Sequence, residues 1–272
     1  MKLNDFGDVP QMKKSLLDVL FMSEKRKQVL LLLQEGPQEM EYLLNSLDTN
    51  RQALLPQARI LEEHYLINHH RDIYDLTTLG KLIVNEISSF LEYINIFDED
   101  VDYWGAHDFG FIPPHLFNRI NELGECKVIN PPLMDIYEMN NDFYEASKKS
   151  KSLCGITTFF YPKFPELFSE LIAKNVSVHF IISKDLLDKI RTDNYADFER
   201  LINSRLFQFS LYTKNMDFLS FSYNDYYTKI RPKKSNGEFE SKYLLCRRKD
   251  SFDWGKELFE YYLKDSVAIV GI

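Results

Sequence analysis

Asn50, Arg51 and Gln52 are three consecutive side chains of the types that read base edges, since Arg pairs guanine bidentately and Asn or Gln pairs adenine. Thr49 precedes them, and Arg59 follows about two helical turns on. His69, His70 and Arg71 form a second polar group, suited to phosphate. Much further along, Thr157, Thr158, Phe159, Ser183, Arg231 and Arg247 offer hydroxyls, an aromatic face and guanidinium groups, a mixture that suits a small anionic ligand, and Arg248 adds a further cation. Signatures of catalysis are missing: there is no G-x-S-x-G, no H-E-x-x-H, no Walker loop and no G-x-G-x-x-G. The chemistry on offer is binding rather than turnover, and no catalytic residue, metal site or cofactor is expected.

Those residues need elements to hold them. Ser23 is a candidate N-cap for a helix carrying the apolar run Val29 to Leu33, which stops at Gly36-Pro37. A second helix places Met40, Leu43, Leu44 and Leu47 on one side and breaks at Asp48-Thr49. Thr49-x-x-Gln52 fits a capping box for a third helix, over about 50–65. Leu54, Ala58, Leu61 and Tyr65 are its expected buried stripe, with Gln52, Leu55, Pro56 and Arg59 on the opposite side; Pro56 predicts a kink. Residues 66–76 read as strand, turn, strand, with His69, His70 and Arg71 at the tip. Three short helices and a ribbon in this order suit a winged helix-turn-helix over residues 1–77, which lays one helix in a groove of double-stranded DNA.

A long helix over about 78–97 follows, opened by Thr77 or Thr78. Ile83, Ile87, Phe90, Ile94 and Phe97 are spaced four, three, four, three, a heptad seam that calls for a partner. The expected partner is a second copy, because a two-fold protein matches a palindromic site; packing on the chain's own body is the alternative. Residues 99–129 read as a hinge, in which His107 beside Asp108 forms a local hydrogen bond rather than an acid/base pair. From 130 to 272 strands and helices alternate. Strand patterns at 152–160 and 176–182, with a helix between, predict parallel pairing, and later short strands predict a meander, giving a mixed α/β sheet. In such sheets ligands lie beyond the carboxyl ends of strands, which singles out Thr157 to Phe159 and Ser183. His179, on an apolar strand, reads as a core histidine.

At 272 residues the chain suits two domains. The run Val29 to Leu33 falls far short of the ~20 apolar residues of a membrane span, and the first residues have no signal-peptide core. Cys126, Cys154 and Cys246 are odd in number and contain no CxxC, which predicts reduced thiols in a cytoplasmic protein; a redox sensor built on one of them is an alternative. Charge opposes the nucleic-acid reading. Net charge is -8, and residues 1–98 hold 10 Lys and Arg against 15 Asp and Glu. An acidic head binds DNA only if its cations are concentrated, and Lys25, Arg26, Lys27, Arg51, Arg59 and Arg71 are candidates for one face.

The fragments KRKQVLLLLQEGP, RQALLPQARILEEHYLI and IYDLTTLGK resemble the ArsR-like winged helices of archaeal transcriptional regulators, a family that tends to carry a Pro in the reading helix. YWGAHDFGFIPPHLFNRINELGE and DSFDWGKELFEYYLKDS are similar to stretches of the regulators linked to control of methanogenesis, whose C-terminal domain was long described as of unknown function. The resemblance implies a dimeric DNA-binding regulator whose C-terminal domain senses an unidentified small-molecule effector or a metabolic state. It hands over no ligand-binding residues. The order of elements in 130–272 also looks like one half of a phospholipase-D-like fold, but none of the histidines (His64, His69, His70, His107, His115 and His179) is followed by x-Lys, so that fold's catalytic motif is absent. The competing readings are an enzyme acting on a nucleotide or lipid, and a protein- or RNA-binding adaptor with a silent winged helix.

Overall fold

The computed structural model describes residues 14–132, 134, 136, 138–193, 195–247 and 251–270. The chain divides into two compact units, with the boundary between Leu91 and Glu92.

In the first unit α1 (Leu16–Phe21) leads into α2 (Glu24–Leu32), whose N-cap is Ser23: its hydroxyl accepts from the Arg26 N–H. Gly36 ends the following turn at φ 130°, a conformation side chains rarely tolerate. Then come β1 (Gln38–Glu39), α3 (Met40–Ser46), α4 (Arg51–Glu63), β2 (Ile67–His70), β3 (Ile73–Leu76) and α5 (Thr78–Asp98). The strands form one antiparallel sheet in the order β1-β3-β2. Leu30, Leu33, Met40, Leu43, Leu54 and Leu61 make the centre of the core, as the helical spacing predicts.

Details differ from the sequence reading. The capping box does not form: Asn50 caps α4 by accepting from the Ala53 N–H at 3.0 Å, while the Thr49 hydroxyl accepts from Lys25 Nζ at 2.8 Å. Pro56 lies inside α4 without breaking it. Tyr65, expected in the buried stripe, is exposed; the chain turns there at φ 57°, beyond the helix end. Thr77 opens α5 by accepting from the Gly80 N–H at 3.0 Å. Gly80 is required by contact rather than by dihedral, since a Cβ there would stand 1.9 Å from the Leu66 carbonyl oxygen.

The second unit contains α6 (Val101–Ala106), β4 (His107–Asp108), α7 (Pro114–Phe117), β5 (Glu125–Ile129), α8 (Asn141–Ser147), β6 (Ser152–Thr157), α9 (Phe164–Ala173), β7 (Ser177–Ile182), α10 (Lys184–Asp193) and α11 (Tyr195–Ile202). It continues with β8 (Phe207–Tyr212), β9 (Ser220–Tyr223), β10 (Thr228–Arg231), β11 (Lys233–Lys234), β12 (Tyr243–Arg247), α12 (Ser251–Leu263) and β13 (Ser266–Ile269). Eight strands make one sheet in the order β13-β8-β7-β6-β9-β10-β12-β5. β6, β7 and β8 run parallel and the remaining pairs are antiparallel, so the sheet is mixed.

Alternation along the strands gives each face its own core. Ile156, Phe221, Ile230 and Leu244 point to the side of α12, where Trp254 is fully buried and donates from Nε1 to the Leu116 carbonyl at 3.0 Å. Leu153, Phe180, Phe209 and Leu245 point to the side of α9 and Phe168. His179 lies on the other side, edge-on to Phe259 of α12 at 4.9 Å, as a neutral side chain: burial lowers its pKa to about 4, and Nε2 lies 3.0 Å from the Ser210 hydroxyl.

Three expectations are corrected. Residues 99–129 are not a free hinge: α6 and α7 pack in the α12-side core, and β5 is the edge strand of the eight-stranded sheet. His107 is buried there, with Nδ1 2.7 Å from the Tyr103 carbonyl and Nε2 2.9 Å from Glu240. The seam on α5 is largely used within the chain: Ile83 and Ile87 pack on the core of the first unit, and Phe97 meets Trp104 edge-on in the second. Ile94 is half-buried and only Phe90 is open, at 52% exposure. Finally, Cys126 and Cys246 are not reduced thiols but a disulfide, because the β5–β12 register sets them directly opposite each other with Cα atoms 3.9 Å apart. Cys154 is the free cysteine.

Candidate functional site

The polar residues singled out in the first unit gather beside one exposed surface of α4. Leu54, Ala58 and Leu61 face the core, which turns Arg51, Gln52, Pro56 and Arg59 outward. Leu55, expected on that side, is half-buried against the core. Asn50 spends its side-chain oxygen on the cap, so what it presents outward is its amide. The ribbon stands alongside, but its tip is not where the sequence placed it. The turn is Arg71-Asp72, both at positive φ (48° and 70°), and His69 and His70 lie on β2.

Two contacts tie the ribbon to α4. Arg51 makes a two-pronged pair with Asp72, with Nη1 2.9 Å from Oδ2 and Nη2 against Oδ1. His69 Nδ1 meets the Glu62 carboxylate while its ring stacks on Tyr74 at 5.1 Å. The expected six-cation face shrinks accordingly. Arg26 is buried, bonding the Val19 and Asp18 carbonyls and Gln57; Lys25 holds Thr49, and Lys27 pairs with Glu24. Among the described residues Arg59 and Arg71 have no ion pair, and Arg51 has its charge offset by Asp72.

The candidate ligand residues of the second unit separate into two groups. Ser183 caps α10 and Arg247 is exposed, 5.8 Å from the Tyr227 ring; neither joins the others, and Arg248 lies outside the described residues. Thr157, Phe159 and Arg231 do converge. Thr158 and Phe159, with Tyr161, Asp185, Lys189 and Phe198, line a cleft of about 330 Å³ beyond the carboxyl ends of β6 and β7. Phe159 and Tyr161 also wall a smaller chamber of about 20 Å³, floored by Thr157, Ser220, Ser222 and Lys229. Arg231 stands beside Lys229 on the same face of β10, two residues on. Lys229, Ser220, Ser222 and Tyr161 were not picked out from the sequence. The signal was present: Lys and Arg at alternate positions of one strand must share a face.

Lys229 is 6% exposed and its Nζ lies 4.3 Å from the centre of the Tyr243 ring. Burial first, and the neighbouring Arg231 charge second, lower its pKa to about 7. Between about pH 7 and the ordinary lysine value the unfolded chain therefore holds a proton that the folded chain has released. Stability is expected to rise with pH across that window, and below it the cost of the buried charge is fully present. Urea midpoints measured from pH 6 to 10 check this: Lys229→Met should flatten the rise and be the more stable protein at pH 6.

By its fold the chain is a two-unit α+β protein: one unit has the helix and ribbon order of a winged helix, and the other is a larger mixed-sheet domain. Residues 14–95 match the model of the N-terminal domain of the methanogenesis regulatory protein FilR1, and residues 136–265 match that of its middle domain. It is 23% identical over 255 residues to the methanogenesis regulatory protein FilR1 of Methanothrix harundinacea (strain 6Ac), an alignment that takes in 91% of this chain and 56% of that protein. The chain thus spans about half the length of that relative. A solved structure of TrmBL2, described as an archaeal chromatin protein with a novel mode of DNA binding, aligns over 90% of this chain and 94% of its own at 11% identity with a TM-score of 0.40, too distant a likeness to carry an argument.

Proposed function

We propose that the chain is a DNA-binding transcriptional regulator, with an ArsR-like winged helix as its reading head, acting on methanogenesis-related genes in the cytoplasm. The observation that carries this is the open surface of α4, where Arg51, Gln52 and Arg59 stand exposed beside a ribbon tipped by Arg71. The family match supports it, since the relative it identifies is a regulatory protein. Arg51, Gln52 and Arg59 read base edges, assisted by the Asn50 amide, while Thr49, His69, His70 and Arg71 set the register on phosphates. The working form is a homodimer. Of the seam residues Phe90 is the one left open for it, and Leu82, also exposed, extends the apolar surface. The second unit senses a small-molecule effector, which controls binding only insofar as it prefers one state of the head over another.

With so few free cations, affinity is modest and its salt dependence shallow. Each phosphate contact contributes about −0.9 to the slope of log K against log salt, so Arg71 gives a slope of about −1 per head. Gel-shift titration of duplexes from upstream of candidate genes, at two salt concentrations, tests the proposal. Asp72→Asn should tighten binding and steepen the slope by about one, because it releases Arg51. Undetectable duplex binding at low salt, or binding indifferent to salt, would falsify the DNA-reading assignment.

A further inference from the structure

Lys229 lines the chamber behind Phe159 and Tyr161, Arg231 stands next to it on the same face of β10, and no carboxylate of a described residue pairs with either of these buried basic side chains. Lys229 is 6% exposed and Arg231 is 1% exposed. Among the described residues neither has an ion pair, and Arg231 Nε has no hydrogen-bond partner at all. Arg231 makes one polar contact, accepting no charge in return: its Nη1 donates to the Tyr161 hydroxyl. The rest of its surroundings are rings, with Tyr243 at 5.0 Å and Phe159 at 5.8 Å. Removing an ion from water carries a large penalty, of which a cation over a ring recovers only part. The rings do not balance two such charges set side by side.

The sheet register builds the rest of a receptor. Lys229 lies opposite Ser222 and Arg231 opposite Ser220; on the next strand Thr157 continues one row, while Gly155 in the other is covered by the Phe180 ring. The floor beside Lys229 therefore offers the Ser220 and Ser222 hydroxyls, neither engaged by another described residue, within otherwise apolar walls such as Phe143, Phe164 and Phe180; the Thr157 hydroxyl is spent on the Phe159 carbonyl. At about 20 Å³ the chamber holds a water-sized group as it stands. Phe159 and Tyr161 line both the chamber and the 330 Å³ cleft, so they form the partition between them.

We propose that this chamber is an oxyanion receptor: a carboxylate or phosphoryl group seats between Lys229 and Arg231, displacing the Tyr161 hydroxyl, while the organic remainder of the ligand occupies the cleft. This rests on the reading of the second unit as a sensing domain and names the chemistry of its effector. It does not depend on the head binding DNA. The cleft wall is largely apolar around Pro162, Leu186 and Phe198, with Lys189 at its side, so the remainder of the ligand is a compact, mostly apolar body.

The test uses the full chain without DNA. Inorganic phosphate and succinate, each at constant ionic strength against chloride, are titrated by calorimetry and by thermal unfolding. Saturable binding by one probe is expected, and which one binds separates the phosphoryl from the carboxylate form. Lys229→Met should weaken it roughly ten- to a hundredfold, the loss of one charge-assisted contact, while itself folding at least as well as the parent. Arg231→Met should do the same, Tyr161→Phe should tighten binding by removing a competitor, and Arg59→Ala should leave it unchanged. If neither probe binds saturably, or if Lys229→Met binds as the parent does, the receptor is overturned. Loss of duplex binding with anion binding intact would instead count against the head.

Discussion

Replacing Arg51 and Arg59 together by alanine is expected to weaken duplex binding by about 2–6 kcal/mol, at least thirtyfold, in a gel-shift titration at low salt. Each is an exposed guanidinium on the outward side of α4, and a bidentate contact with a base is worth about 1–3 kcal/mol. Arg51 carries a further consequence. Its removal leaves Asp72 at the ribbon tip with no cation against it, turning a neutral pair into a carboxylate facing phosphate. The single change at Arg51 should thus cost more than its contact alone, and Asp72→Asn on that background should recover part of the loss. An adaptor with a silent head predicts no change in any of the three variants, and folding, followed by circular dichroism, should be unaffected in all of them because none of these side chains reaches the core.

The second large effect concerns the second unit. Reducing the Cys126–Cys246 disulfide is expected to lower its unfolding free energy by about 4–5 kcal/mol, the loop-closure entropy released when a cross-link across more than a hundred residues is opened. The separation is 120 residues, and the bond joins the edge strand β5 to β12. Urea midpoints with and without reductant measure it. A Cys126→Ser/Cys246→Ser protein should match the reduced parent and ignore the reductant. Cys154 contributes nothing to this response; burial raises its pKa and keeps it a thiol. A reductant effect of the same size in the double variant would refute the assignment to this bond.

Local pattern made the head legible. Apolar spacing gave three of its helices, Ser23 and Gly36 gave an end to each side of the first of them, and the outward placement of Gln52, Pro56 and Arg59, though not of Leu55, followed from helical geometry. What local pattern does not encode is who pairs with whom across the chain. Arg26 looks like a surface cation until α1 is folded over it, where carbonyls of that helix take up its donors. The turn Arg71-Asp72 lacks the Gly or Asn that marks positive φ, so the tip was placed two residues early. Cysteine counting failed for a related reason: an odd total says nothing about two residues that a strand register brings together. Lys229 was missed because the strand 228–231 was read for its length and not for the side its charges share.

The two ties between α4 and the ribbon, Arg51 to Asp72 and Glu62 to His69, bear on what kind of sequence such a head selects. A helix and hairpin clamped to each other behave as a fixed gauge. On the DNA-binding proposal the duplex has to come to that gauge, widening or bending where its steps are soft and refusing where they are stiff. Base composition at positions no side chain reaches then becomes part of the address, and pliant pyrimidine–purine steps there would favour binding as effectively as a correct letter under Arg59.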